Sequence, residues 1–76
     1  MLEDFKLKVF MAIAETGSFT KAAKVLGVSQ PAISQNISAL EKELGATLIC
    51  RARGEAYLSE EGRTFKEYVS HILYWY

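Results

Sequence analysis

Gln30, Ser34, Gln35 and Ser38 crowd into nine residues, preceded by Ser18, Thr20 and Ser29 and followed by Arg51 and Arg53. All of these side chains make hydrogen bonds, and no paired catalytic set accompanies them. A carboxamide carries a donor and an acceptor in one plane, so Gln35 has the geometry to bond the edge of adenine bidentately. Hydroxyls at helix starts, beside free backbone N–H groups, suit phosphate oxygens. An arginine on a projecting loop suits a minor groove or the phosphates that line it. The chemistry on offer is recognition of a duplex rather than bond breaking.

Other chemistry is poorly supplied. His71 has no Cys or His partner at metal spacing, so no metal is expected. Cys50 is the one cysteine; it reads as a packing residue, excludes an internal disulfide and fits a reducing cytoplasm. There is no glycine-rich phosphate loop, and neither an enzyme nor a cofactor is expected.

The elements that must position these residues are helical. Residues 3–16 predict a first helix with Leu7, Phe10, Ile13 and Ala14 inward, and with Phe5 and Val9 off that stripe and partly exposed. Gly17 ends it and Ser18 caps a second helix, whose inward face is Phe19, Ala22, Ala23 and Leu26. Gly27 and Ser29 supply the next stop and start. A third helix over 30–44 then carries Ile33, Ile37, Leu40 and Leu44 on one side, with Pro31 in its first turn, where a missing N–H costs little. Projection at about 100° per residue sets Pro31, Gln35, Ser38 and Lys42 on the opposite side. Gln30 stands at the N-terminal end that points at base edges, Pro31 and Ala32 are compact enough to meet a thymine methyl, and Ser34 lies at the flank. Two helices joined by so short a turn make a helix-turn-helix, whose second helix enters the major groove.

After Gly45 the pattern changes. Residues 47–49 and 56–58 read as short strands around a 51–55 loop, giving a small β-hairpin wing. Arg53 at its tip is expected to touch DNA; Arg51 does so too or pairs with Glu55. Ser59 caps a last helix with Glu60 and Glu61 in its first turn. Along it Phe65, Tyr68, Val69, Ile72 and Tyr76 recur at helical spacing, with Leu73 beside them, and the chain stops in mid-pattern. A core this small cannot cover the whole stripe, so these residues, assisted by Phe5 and Val9, are expected to pair two copies in a homodimer. The expected fold is mainly α, a winged helix-turn-helix over 1–58 with a linker and dimerisation helix over 59–76.

Composition sets bounds on this reading. Half of the 76 residues are hydrophobic, which argues against disorder, and no apolar run approaches the ~20 residues of a membrane span. A net charge of zero disfavours nucleic acid taken alone, and leaves a protein-binding winged helix as the alternative. Sorting of the charges favours DNA: from Thr16 to Leu40 there is no acid, only Lys21 and Lys24.

The run Phe10, Gly17-Ser18-Phe19-Thr20, Ala22-Ala23, Leu26, Ser29-Gln30-Pro31-Ala32-Ile33-Ser34, Ile37, Leu40-Glu41, Leu44-Gly45 and Leu48 resembles the N-terminal domain of LysR-type transcriptional regulators. Arg51, Leu58-Ser59 and Gly62 continue the likeness over nearly the whole chain. The resemblance implies a bacterial DNA-binding regulator that pairs through its last helix. It also implies a small-molecule effector acting only through a further domain absent here. By position, Ser29, Gln30, Pro31, Ala32, Ser34 and Gln35 fall where such regulators contact DNA, and Arg51 and Arg53 fall in the wing. Gln35 and Ser38 stand where basic residues are common in the family, Ile49 replaces a usual phenylalanine and Ser59 a usual threonine.

Overall fold

A computed structural model describes residues 4–74, with side chains over 5–71. Helix α1 spans Asp4–Thr16, α2 Phe19–Leu26 and α3 Gln30–Leu44; strands β1, Ile49–Ala52, and β2, Glu55–Leu58, precede α4, Glu60–Tyr74. The strands pair antiparallel, so the expected winged helix-turn-helix is present.

Each predicted serine cap forms. Ser18 Oγ accepts the Lys21 N–H at 3.1 Å, Ser29 Oγ that of Ala32 at 3.3 Å, and Ser59 Oγ that of Gly62 at 2.9 Å. Between α2 and α3 the chain reverses through Gly27, whose φ of 70° is left-handed. There the Val28 N–H reaches the Ala23 carbonyl at 3.0 Å and the Gly27 N–H that of Lys24 at 3.3 Å. This doubly bonded stop ends α2 abruptly enough for Ser29 to start α3 within three residues.

The core gathers on α1. That helix packs against α2, α3, α4 and β2 at once, so it buries more than the predicted stripe. Leu7, Val9, Phe10, Met11, Ala12 and Ile13 are all buried, whereas Ala14 is only half-buried. Val9 is thus corrected: it is fully enclosed, because a helix covered on several sides has no exposed flank there. Phe5, one turn earlier, is exposed as expected. Ile33, Ile37 and Leu40 of α3 face inward, but Leu44 is exposed, since it is the last residue of a helix whose chain turns away at Gly45.

The hairpin is fastened at its base by groups that periodicity does not reveal. Glu41 of α3 accepts the N–H groups of Leu48 and Ile49 at 2.7 and 3.0 Å. The Ser59 N–H donates to the Leu48 carbonyl at 2.9 Å, and its hydroxyl donates to the Thr47 carbonyl. Gly62 of α4 sits directly on the Leu48 carbonyl, and a β-carbon there would overlap that oxygen. On the other side, the Ala56 N–H donates to the Gly17 carbonyl at 3.0 Å.

Hydrogen bonds to a charged group are each worth roughly 1.5–3 kcal/mol, and buried donors left without an acceptor carry a desolvation cost. Glu41→Ala is therefore expected to destabilise the domain by about 2 kcal/mol and lower its melting temperature by about 10 °C. Hydrogen exchange should quicken at Leu48 and Ile49 in particular. A melt and exchange pattern like those of the parent chain would show that water replaces the carboxylate without loss.

Candidate nucleic-acid interface

The outward face of α3 is laid out as the spacing requires. Gln30, Pro31, Gln35, Ser38 and Lys42 are exposed, and Ala32 and Ser34 are half-buried at the flanks. Gln35 stands at the middle of that face. Asn36 turns inward instead, its amide nitrogen donating to the Ala32 carbonyl at 2.8 Å. Ser18 is half-buried at the start of α2, while Thr20 and Ser29 are exposed. The Thr20 hydroxyl lies 3.5 Å from Gln30 Oε1, at the outer limit of a hydrogen bond. Lys21 and Lys24 are exposed on α2.

The wing is tighter than the sequence suggested. Strand pairing runs from Ile49↔Leu58 to Ala52↔Glu55, leaving only Arg53 and Gly54 in the turn. Both have positive φ, 55° and 77°, as a type I′ hairpin turn demands. Left-handed backbone is natural for Gly54 and costs a non-glycine residue such as Arg53 roughly 1–2 kcal/mol. That strain sits at the most projecting point of the hairpin, where a guanidinium has most reach.

Because β1 begins at Ile49 and extends to Ala52, Arg51 belongs to a strand and not to the loop expected. Cross-strand partners share a face, so Arg51 lies on the same side as buried Ala56, and Cys50 on the opposite side with exposed Tyr57. Two expectations fall on this parity. Cys50 is exposed rather than packed. Arg51 does not pair with Glu55, which lies on the outer face and accepts the Tyr57 hydroxyl. That hydrogen bond, with the carboxylate charge behind it, holds the Tyr57 phenol above its usual pKa. Arg51 folds over the helices while remaining exposed: its guanidinium carbon is 3.7 Å from the centre of the Phe19 ring, and Nη2 donates to Ser34 Oγ at 2.8 Å. Phe19 as a platform was not legible, since its buried, helix-facing position reads only as core. A cleft of about 210 Å³ remains between wing and helices, bordered by Thr20, Gln30, Arg51, Arg53 and Gly54.

On the far side, α4 divides its apolar stripe. Val69 is fully buried and Phe65 meets Phe10 edge-on at 5.1 Å, so both serve the protomer's own core. Val9 and Val69 are thus removed from the expected dimer surface, because each is already enclosed. Tyr68 remains 60% exposed beside a groove that Leu44, Ala46, Leu48, Glu60, Glu61, Thr64 and Phe65 also line. The side chains of Ile72 and Leu73, and all of Tyr76, lie outside the described residues. Among the described residues, no acidic, His or Cys cluster is arranged to hold a metal ion, and no helix is long and apolar enough to cross a membrane.

Known proteins share this arrangement. A probable RuBisCO transcriptional regulator of Cyanidioschyzon merolae is 47% identical over 68 residues, which is 90% of this chain and 22% of that protein. The regulator BudR of Klebsiella aerogenes is 45% identical over 67 residues, 88% of this chain and 47% of its own. The CbnR DNA-binding domain, solved in complex with DNA, superposes with a TM-score of 0.91 at 42% identity, covering 95% of this chain and 83% of that one. The BenM DNA-binding domain on catB site 1 DNA gives 0.90 at 39% identity, covering 95% and 81%. The chain spans about a fifth of the first of these curated relatives and about half of the second. The pattern of bacterial regulatory helix-turn-helix proteins of the lysR family matches residues 5–63. The match covers most of the chain, which therefore belongs to the lysR family of bacterial regulatory helix-turn-helix proteins.

Proposed function

We propose that this chain binds double-stranded DNA sequence-specifically as the DNA-binding domain of a bacterial transcriptional regulator, with α3 in the major groove and the wing at the adjoining minor groove. One observation carries the reading: the exposed Gln30, Pro31, Gln35 and Ser38 face of α3 lies beside a wing whose strained tip presents Arg53. The superposable CbnR and BenM domains, both solved with DNA, support it. Gln35 and Gln30 read base edges, Pro31 and Ala32 meet thymine methyls, and Ser18, Thr20, Ser29, Ser34 and Ser38 bond the sugar-phosphate backbone. Zero net charge is no obstacle, since the acid-free 16–40 stretch supplies a local field that falls off within about 10 Å in moderate salt. The place of action is the cytoplasm, where bacterial DNA lies. Selection from a random duplex pool tests the whole reading: an enriched motif, repeated as an inverted pair, is expected, and a pool left unenriched refutes it.

Gln35→Ala should cost on the order of 1–3 kcal/mol on the selected duplex and relax preference at one base pair. An equal loss on every sequence would make Gln35 a backbone contact. Arg53→Asn separates strain from function. Asparagine tolerates left-handed φ, so the domain should melt slightly higher, by up to about 1 kcal/mol. Binding should nonetheless weaken on specific and random DNA alike, with the salt slope lower by about one unit. A slope that does not change would place this guanidinium away from phosphate.

Two copies pair through α4, with Tyr68 and Phe5 as described members of the seam and Phe65 and Leu44 beneath it. A two-fold pair sets the two α3 helices on half-sites about 34 Å, or a small multiple, apart. Tyr68→Glu should split the dimer while each winged unit stays folded, and should weaken binding to paired half-sites far more than to one. Sedimentation of the parent chain decides it: a monomer at high micromolar concentration defeats the pairing.

A further inference from the structure

We infer that Arg51 is a positioning residue, which holds the wing at a fixed distance from the recognition helix instead of serving as a DNA ligand; the inference rests on the duplex-binding reading. The guanidinium belongs to three elements at once. It rises from β1, stacks on Phe19 of α2 at 3.7 Å and donates to Ser34 of α3 at 2.8 Å. The strand register aims it there, because Arg51 shares the inner face of the hairpin with buried Ala56. Its one nearby acid on the hairpin, Glu55, lies on the outer face and is engaged by Tyr57.

The position of that contact along the wing gives it leverage. At the hairpin's base, Glu41 and Ser59 fix Leu48 and Ile49, and two rungs out, where Arg51 and Ala56 pair across the strands, the Ala56 N–H ties β2 to Gly17. On that same rung, among the described residues, the contacts that join β1 to the helices are those of Arg51, so β2 is held by its backbone and β1 by this side chain. A lone two-stranded hairpin is marginal in water, so the tip has little stiffness of its own. Arg53 follows Arg51 by two residues, and Ser34 immediately precedes Gln35. The Arg51–Ser34 bond therefore connects the wing's phosphate-facing arginine to the base-reading glutamine through a few covalent bonds on each side. It also takes a lone pair of Ser34 Oγ, which turns the hydroxyl proton away from the guanidinium. A planar guanidinium can stack and donate sideways at the same time, whereas a lysine ammonium cannot do both.

The test compares Arg51→Lys with Arg51→Met in the full chain, on the duplex that the parent chain selects. A positioning role predicts that both lose affinity about tenfold, and that Ser34→Ala costs less in the Arg51→Met background than in the parent chain, where it also removes Arg51's partner. Hydroxyl-radical footprints should show the minor-groove protection under the wing disappearing in both variants, while base preference at the Gln35 contact persists and melting curves stay close to the parent's. If Arg51→Lys binds like the parent chain while Arg51→Met lowers the salt slope by about one unit, Arg51 is a phosphate ligand and the inference fails. It fails equally if Arg51→Met leaves the wing footprint intact. A parent chain that enriches no duplex refutes the underlying DNA reading instead, a result separable from either outcome.

Discussion

The Glu41 carboxylate, accepting the N–H groups of Leu48 and Ile49, is the joint on which the rest of the architecture turns. α3 has to end, the chain has to reverse through Gly45, and a strand has to start at a defined angle to the helix just finished. Backbone N–H groups at a strand's beginning need an acceptor where water has little access. Placing that acceptor on α3 itself makes the wing's origin a property of the recognition helix. α4 then stacks on the same place, since Gly62 lies against the Leu48 carbonyl and the Ser59 N–H donates to it. One short segment, 47–49, thus meets the helix before it and the helix after it.

From that base outward the structure loosens in a graded way. Beyond the base one rung is held from both strands, Ala56 by its backbone bond to Gly17 and its partner Arg51 by the stack on Phe19. At the tip, Arg53 is held in left-handed backbone that an asparagine or glycine would accept more easily. A residue kept against its conformational preference at the most exposed point of a domain is better explained by what it reaches than by what it stabilises. The charge pattern agrees: from Thr16 to Leu40, which holds α2 and most of α3, there is no acid.

α4 shows how one apolar stripe can serve two purposes. Its inward positions, Val69 and Phe65, complete a core centred on Phe10. Its outward Tyr68, with exposed Leu44 nearby, borders a groove of about 610 Å³ whose lining also includes Glu60 and Glu61. A domain of this length buries only roughly 60% of the surface its unfolded chain exposes, so an apolar residue such as Tyr68 left uncovered is in keeping with its size.

The elements and their caps were legible in the sequence because they depend on neighbours along the chain. Ser18, Ser29 and Ser59 act within one helical turn, and Gly27 acts on the residues just before it. The outward set of Gln35, Ser38 and Lys42 follows from helical periodicity alone once α3 is placed. What the sequence left open was decided by contacts between distant segments. Val9 is enclosed because four elements meet on α1. Leu44 is exposed because the chain departs at Gly45. The strand boundary is the sharpest case. A two-residue turn extends β1 to Ala52, and the parity of that pairing sends Arg51 inward to Phe19 and Ser34 and Cys50 outward. A strand's side-chain period is two, so register fixes both faces together, and register is set by cross-strand and helix contacts that no local pattern contains.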